Sequence, residues 1–142
     1  MIGLDTNVLV RYVTQDEPEQ SARATALIDG LSEDNPGFVS MIVLVELHWV
    51  LRRAYRVCSD DASTVIRTLL ESQELMLQDP DVVRRALRHV TDRIEFPDAV
   101  ISELGRDAGC LFTVTFDRRA ALLDGMSLVP VASVQDPPGS PD

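Results

Sequence analysis

Short apolar runs near residues 2–5, 37–40, 74–78, 111–116 and 127–131 alternate with longer stretches of helical periodicity, and this alternation constrains the fold more than any other feature. A chain that alternates β and α elements buries its strands between covering helices. The pattern therefore predicts an α/β fold: a three-layer αβα sandwich on a mostly parallel sheet of about five strands, with right-handed crossovers. Punctuation along the chain agrees. Pro18 suits a first helical turn, and the pattern Ala22, Ala26, Leu27 runs to a stop near Gly30. Asn35-Pro36-Gly37 reads as a turn before a short strand that feeds a helix running to about Tyr55. Ser59-Asp60-Asp61 opens a helix with Val65, Ile66, Leu69 and Leu70 on one face, Asp79-Pro80-Asp81 opens another, and Pro97 starts a last helix ended by Gly109.

A length of 142 residues with 45% hydrophobic side chains supports one domain with a real core, taken here as residues 1–134. Residues 135–142 carry almost nothing to bury and are expected to form a flexible tail. The sequence contains no run of about 18 apolar residues to span a bilayer, and Asp5 interrupts any leader-like apolar segment, so a cytoplasmic protein is expected. Cys58 and Cys110 show neither disulfide nor zinc spacing. The net charge of −10 argues against nucleic-acid binding by bulk electrostatics, so any phosphate contact must be local. All 13 basic residues are arginine, which suits bidentate phosphate contact, and the absence of lysine removes lysine-dependent chemistries.

Asp5 ends the first strand, where open α/β sheets present side chains to a ligand crevice. Glu46 interrupts the apolar run Met41 to Leu47 and is expected to face inward, where an unpaired carboxylate costs several kcal/mol and a cation would serve as its partner. Asp98 follows Phe96-Pro97, and Asp117 closes a β-like run as Asp5 does. Helix starts attract acids for their own reasons, at about 0.3 to 1 kcal/mol each, and that reading stands beside the functional one for Asp98 and Asp117. His48 and His89 have no partner at ligand spacing and are expected at the surface or the edge of the core; Trp49 is expected in the core.

The segments Leu4-Asp5-Thr6-Asn7-Val8-Leu9, Val45-Glu46-Leu47, Phe96-Pro97-Asp98-Ala99 and Thr115-Phe116-Asp117-Arg118 resemble, in order and spacing, the PIN-domain family, and the length resembles the VapC-like toxins of toxin–antitoxin pairs. The resemblance spans nearly the whole chain. It implies a Mg²⁺- or Mn²⁺-dependent ribonuclease in which Asp5, Glu46, Asp98 and Asp117 form the acidic metal site, together with an RNA substrate, a homodimer and a cognate antitoxin. Hard cations favour such oxygen donors, and a metal held there could activate water for phosphodiester hydrolysis. On this reading Asp5 and Asp98 are the leading ligands, while Thr6, Asn7 and Thr115 hold carboxylates by hydrogen bonds. Arg11, Arg52, Arg53 and Arg56 are candidates for gripping RNA phosphates, with Arg118 and Arg119 ranked below them.

Two other classes compete. A haloacid-dehalogenase-type phosphotransferase also begins with an aspartate after its first strand, but it wants a second aspartate where Asn7 stands and commonly a lysine. A catalytically silent RNA- or protein-binding module of the same fold is the stronger rival, because an intact set of acids need not turn over.

Overall fold

The first strand ends almost as soon as it begins. In the computed structural model, which describes residues 1–132, Ile2 and Gly3 pair in parallel with Gly37 and Phe38, and Asp5 then leaves the ladder to cap a helix. The elements are β1 (Ile2–Gly3), α1 (Thr6–Thr14), α2 (Pro18–Asp29), β2 (Gly37–Val39), α3 (Met41–Arg53), α4 (Ser59–Glu71), β3 (Leu75–Leu77), α5 (Pro80–His89), α6 (Phe96–Asp107), β4 (Thr113–Thr115), a 3₁₀ turn (Ala120–Leu122) and β5 (Met126–Leu128). The expected tail at 135–142 lies outside the described residues.

The α/β sandwich class is as expected, and every ladder is parallel, but the five strands do not join one sheet. Among the described residues β1, β2 and β3 form a three-stranded sheet with β2 central, and β4 and β5 form a separate pair. The strands are shorter than their apolar runs because their last residues are diverted to helix starts. Ser40, for example, turns its hydroxyl onto the amide of Val43 at 3.3 Å instead of extending β2. Leu111 and Phe112, expected within the fourth strand, precede it and face solvent.

Helix α3 organises the interior, packing against α1, α4 and α6. Its stripe of Met41, Val43, Leu44, Leu47 and Leu51 meets Leu9 of α1, Ile66 of α4 and Phe96 of α6, all buried. Each such side chain is worth about 1.5 to 3 kcal/mol when removed from water. Gly37 sits at the centre of the sheet because a Cβ there would stand 2.8 Å from both Leu4 and Leu31. Gly109 adopts a left-handed φ of 86° just past α6, the stop expected of it.

Two side chains of α3 depart from expectation. Trp49 is 57% exposed rather than in the core, because it lies on the helix face opposite the buried stripe. His48, expected at the surface or core edge, is 1% exposed and tilted against the ring of Phe96 at 5.6 Å. Among the described residues neither of its ring nitrogens has a hydrogen-bond partner, and burial holds its pKa at about 4, well below the ordinary 6.5.

Glu103 of α6 is buried and was not singled out from the sequence. Arg85 of α5 donates to it through Nε at 2.7 Å and to Asp107 through Nη2 at 2.8 Å, and His89 lies 3.4 Å away. A buried carboxylate stripped of its partner is strongly destabilising. We expect Arg85→Ala to lower the thermal midpoint clearly, and Arg84→Ala, whose guanidinium pairs among the described residues only with exposed Asp81, to leave it nearly unchanged; parallel thermal melts check this.

Candidate active site

Thr6 ties the first two acids together. As the first residue of α1 it donates its backbone N–H to Asp5 Oδ1 at 2.8 Å and its hydroxyl to Glu46 Oε2 on α3. Thr6 itself is buried, so the α1–α3 packing fixes this bridge. Glu46, however, does not face inward. It is exposed, on the same side of α3 as Ile42 and Trp49, because the apolar run continues around the helix beyond its buried stripe. Apolar neighbours in sequence were not apolar neighbours in space. The bond from Thr6 and solvent both satisfy this carboxylate, and burial no longer argues for a cation there.

Asp117 carries a structural duty of its own. Its Oδ1 accepts from the amides of Arg119 at 2.7 Å and Ala120 at 3.3 Å, starting the 3₁₀ turn, while Thr115 Oγ1 accepts from the amide of Asp117 at 3.0 Å. Thr115 thus holds the backbone at Asp117 rather than its carboxylate. Asp98 differs from the other three. It stands in the first turn of α6, half-buried, and among the described residues its carboxylate has no hydrogen-bond partner. Desolvation pushes its pKa up, and the nearby charges of Asp117 and Glu95 push it in the same direction.

Asp5 and Glu46 are thus joined through Thr6, while Asp98 lies near enough to Asp117 and Glu95 to feel their charge. Among the described residues no three His, Cys, Asp or Glu side chains converge closely enough to hold a metal ion jointly. The donor chemistry nonetheless suits a hard divalent cation. Mg²⁺ is commonly held by one or two carboxylates, with water and substrate phosphate completing the shell. Asp98 and Asp117 are candidates for such a pair, and a cation there would offset the charge of Asp117 that adds to desolvation in raising Asp98.

The arginines divide into held and free. Arg11 is occupied by Gln20 at 2.8 Å, Asp16 at 3.1 Å and Tyr55 at 3.2 Å. Arg52 bonds Glu95 at 3.2 Å and the carbonyl of Val57 at 3.0 Å, and Arg53 approaches Glu95 at 4.0 Å. Arg56 is exposed at a left-handed φ of 53°. Arg23, passed over in the sequence, lies with Asp5 and Asn7 on a cleft of about 490 Å³ between α1 and α2, floored by Val8, Ala24 and Leu27. It is exposed and among the described residues makes no ion pair. Its sequence signal was faint: it shares a face of α2 with Gln20, Ala24 and Leu27, at helical spacing.

A family model described as PIN domain matches residues 2–126, a span that contains all four acids. PIN domains are typically nucleases that depend on divalent metal ions. No functionally curated protein sequence matches the chain. Among the described residues no helix is long and apolar enough to cross a membrane.

Proposed function

The chain belongs to the PIN-domain family, and from that premise we propose that it is a metal-dependent ribonuclease acting as the toxin of a toxin–antitoxin pair. The observation that carries the reading is the family match across a span holding Asp5, Glu46, Asp98 and Asp117. Asp5 and Asp98 would be the leading ligands of Mg²⁺ or Mn²⁺, and Glu46 and Asp117 would complete the site directly or through water. When bound, the ion activates water for hydrolysis and neutralises charge on the phosphate. Thr6 ties Asp5 and Glu46 to one another through its backbone N–H and its hydroxyl. Asn7 lines the cleft beside Asp5 and orients the RNA entering it. The working form is a cytoplasmic homodimer, and a cognate antitoxin covers the acidic groove.

Asp5→Asn is expected to abolish cleavage of RNA in Mg²⁺ or Mn²⁺ while the circular dichroism spectrum stays that of the parent. Retained cleavage would refute the assignment. Metal binding without cleavage of any RNA would instead favour a silent binding module.

The free guanidinium of Arg23 grips a phosphate flanking the cut. Arg23→Ala should raise KM with kcat nearly unchanged and reduce the salt dependence of binding by about one phosphate contact. A slope of log affinity against log salt equal to the parent's would count against this role.

A further inference from the structure

Between helices α4 and α5 lies a cleft of about 550 Å³ lined by three arginines: Arg67 from α4, and Arg84 and Arg88, one turn apart, from α5. All three are exposed, and Leu70 and Leu87 supply the apolar lining between them. Like charges four residues apart on a helix repel, and a chain of net charge −10 has carboxylates enough to neutralise them. Here they do so only in part. Arg84 meets Asp81 at 2.8 Å, but among the described residues neither Arg67 nor Arg88 makes an ion pair. Glu71 lines the cleft four residues past Arg67, yet the two stand beyond ion-pair distance.

We propose that the α4–α5 cleft holds phosphates of single-stranded RNA apart from the place of cutting, with Arg67 and Arg88 as its contacts. This rests on the ribonuclease reading above and adds to it a second stretch of substrate that the protein grips. Guanidinium forks match phosphate oxygens bidentately, and a local cluster of them offsets the repulsion that an acidic chain exerts on a polyanion. Through the shared Leu70 and Arg84 the cleft continues into a hollow of about 280 Å³ bounded by Pro36, Met76 and Pro80, with Met76 half in water. A cationic hollow beside an apolar one suits a ligand that repeats phosphate and base. Neither hollow shares a lining residue with the cleft of Asp5 and Arg23, so the contact is additional to that one. A second copy of the chain fits less well, because a two-fold contact centred here would set these arginines against their own counterparts.

Binding of a labelled, mixed-sequence single-stranded RNA of about twenty nucleotides is followed by fluorescence anisotropy across a salt series, in excess chelator so that no metal-dependent cut runs. The parent is compared with Arg67→Ala/Arg88→Ala and with Arg67→Lys/Arg88→Lys; both positions are exposed, so the fold tolerates either change. Labelled polyglutamate of similar length is titrated alongside. Loss of two phosphate contacts should weaken RNA binding about tenfold and flatten the slope of log affinity against log salt by about 1.4, lysine should restore the slope, and polyglutamate should bind the parent far more weakly than RNA does. A slope equal in the parent and the alanine variant would overturn the proposal, as would a parent that binds no RNA. Polyglutamate held as tightly as RNA, and released by the same alanine variant, would assign the cleft to an acidic protein partner and overturn it also. Cleavage of the same RNA in Mn²⁺ keeps the two readings apart. Cutting by a parent whose slope the arginines do not affect sinks the cleft alone, whereas an arginine-dependent slope without cutting sinks the nuclease reading and leaves the cleft as an RNA-binding site.

Discussion

Asp98→Asn is expected to lose RNA cleavage by about a thousandfold or more, equivalent to about 4 kcal/mol of transition-state stabilisation, and to gain thermal stability in metal-free buffer. The two effects have one cause. Asp98 is half-buried beside Asp117 with no hydrogen bond among the described residues, so its ionised form is disfavoured in the folded protein. A carboxyl whose folded pKa lies above its unfolded value favours folding when protonated. The cost of ionisation sets in as pH rises through the ordinary value of 3.8 and is complete above the raised one. At neutral pH asparagine removes that cost. It also removes a proposed metal ligand, so Mn²⁺ should raise the melting midpoint of the parent and leave that of the variant where it was. A variant no more stable than the parent without metal would mean that solvent and neighbours already satisfy Asp98.

The second large effect lies in the core and concerns acid stability. His48 has a folded pKa of about 4 against an ordinary 6.5, so the unfolded chain binds the proton that the native interior refuses. Its contribution therefore disfavours the native state progressively as pH falls from about 6.5 to about 4, by on the order of 3 kcal/mol in all. Burial is the dominant cause; Arg52 adds to it and Glu95 opposes it. Replacing His48 by leucine removes two unpaired buried nitrogens at similar volume. Urea unfolding at several pH values should show the variant gaining on the parent by about that amount between pH 7 and pH 4. Parallel curves for the two proteins would show that His48 finds a partner or water in solution.

Much of the fold was legible because periodicity and punctuation are local. Pro18, Pro80 and Pro97 all fall in first turns, and Gly109 takes its left-handed place past α6. The division of five strands into two sheets was not, since ladder formation depends on how far each strand runs before Asp5 or Ser40 turns away to cap a helix. At the site, the positions of the acids at strand ends and helix starts could be read directly. The direction of Glu46 could not: a helix apolar beyond its buried stripe hides which face meets the core. Trp49 and His48 were misplaced for the same reason, one outward and one inward. The pairing of Glu103 with Arg85 joins residues eighteen positions apart on two helices, and no spacing rule within one helix reveals it.

The central claim is that the acids of this chain bind a divalent ion which cleavage requires. Titrating Mn²⁺ into the RNA-free protein, with bound ion counted by its loss of the free-ion paramagnetic resonance signal, tests it most directly. Saturable binding to the parent is expected, weakened by Asp98→Asn and by Asp117→Asn, with RNA cleavage rising along the same titration curve and vanishing in excess chelator. Cleavage that persists in chelator, or Mn²⁺ binding equal in parent and both variants, would contradict it.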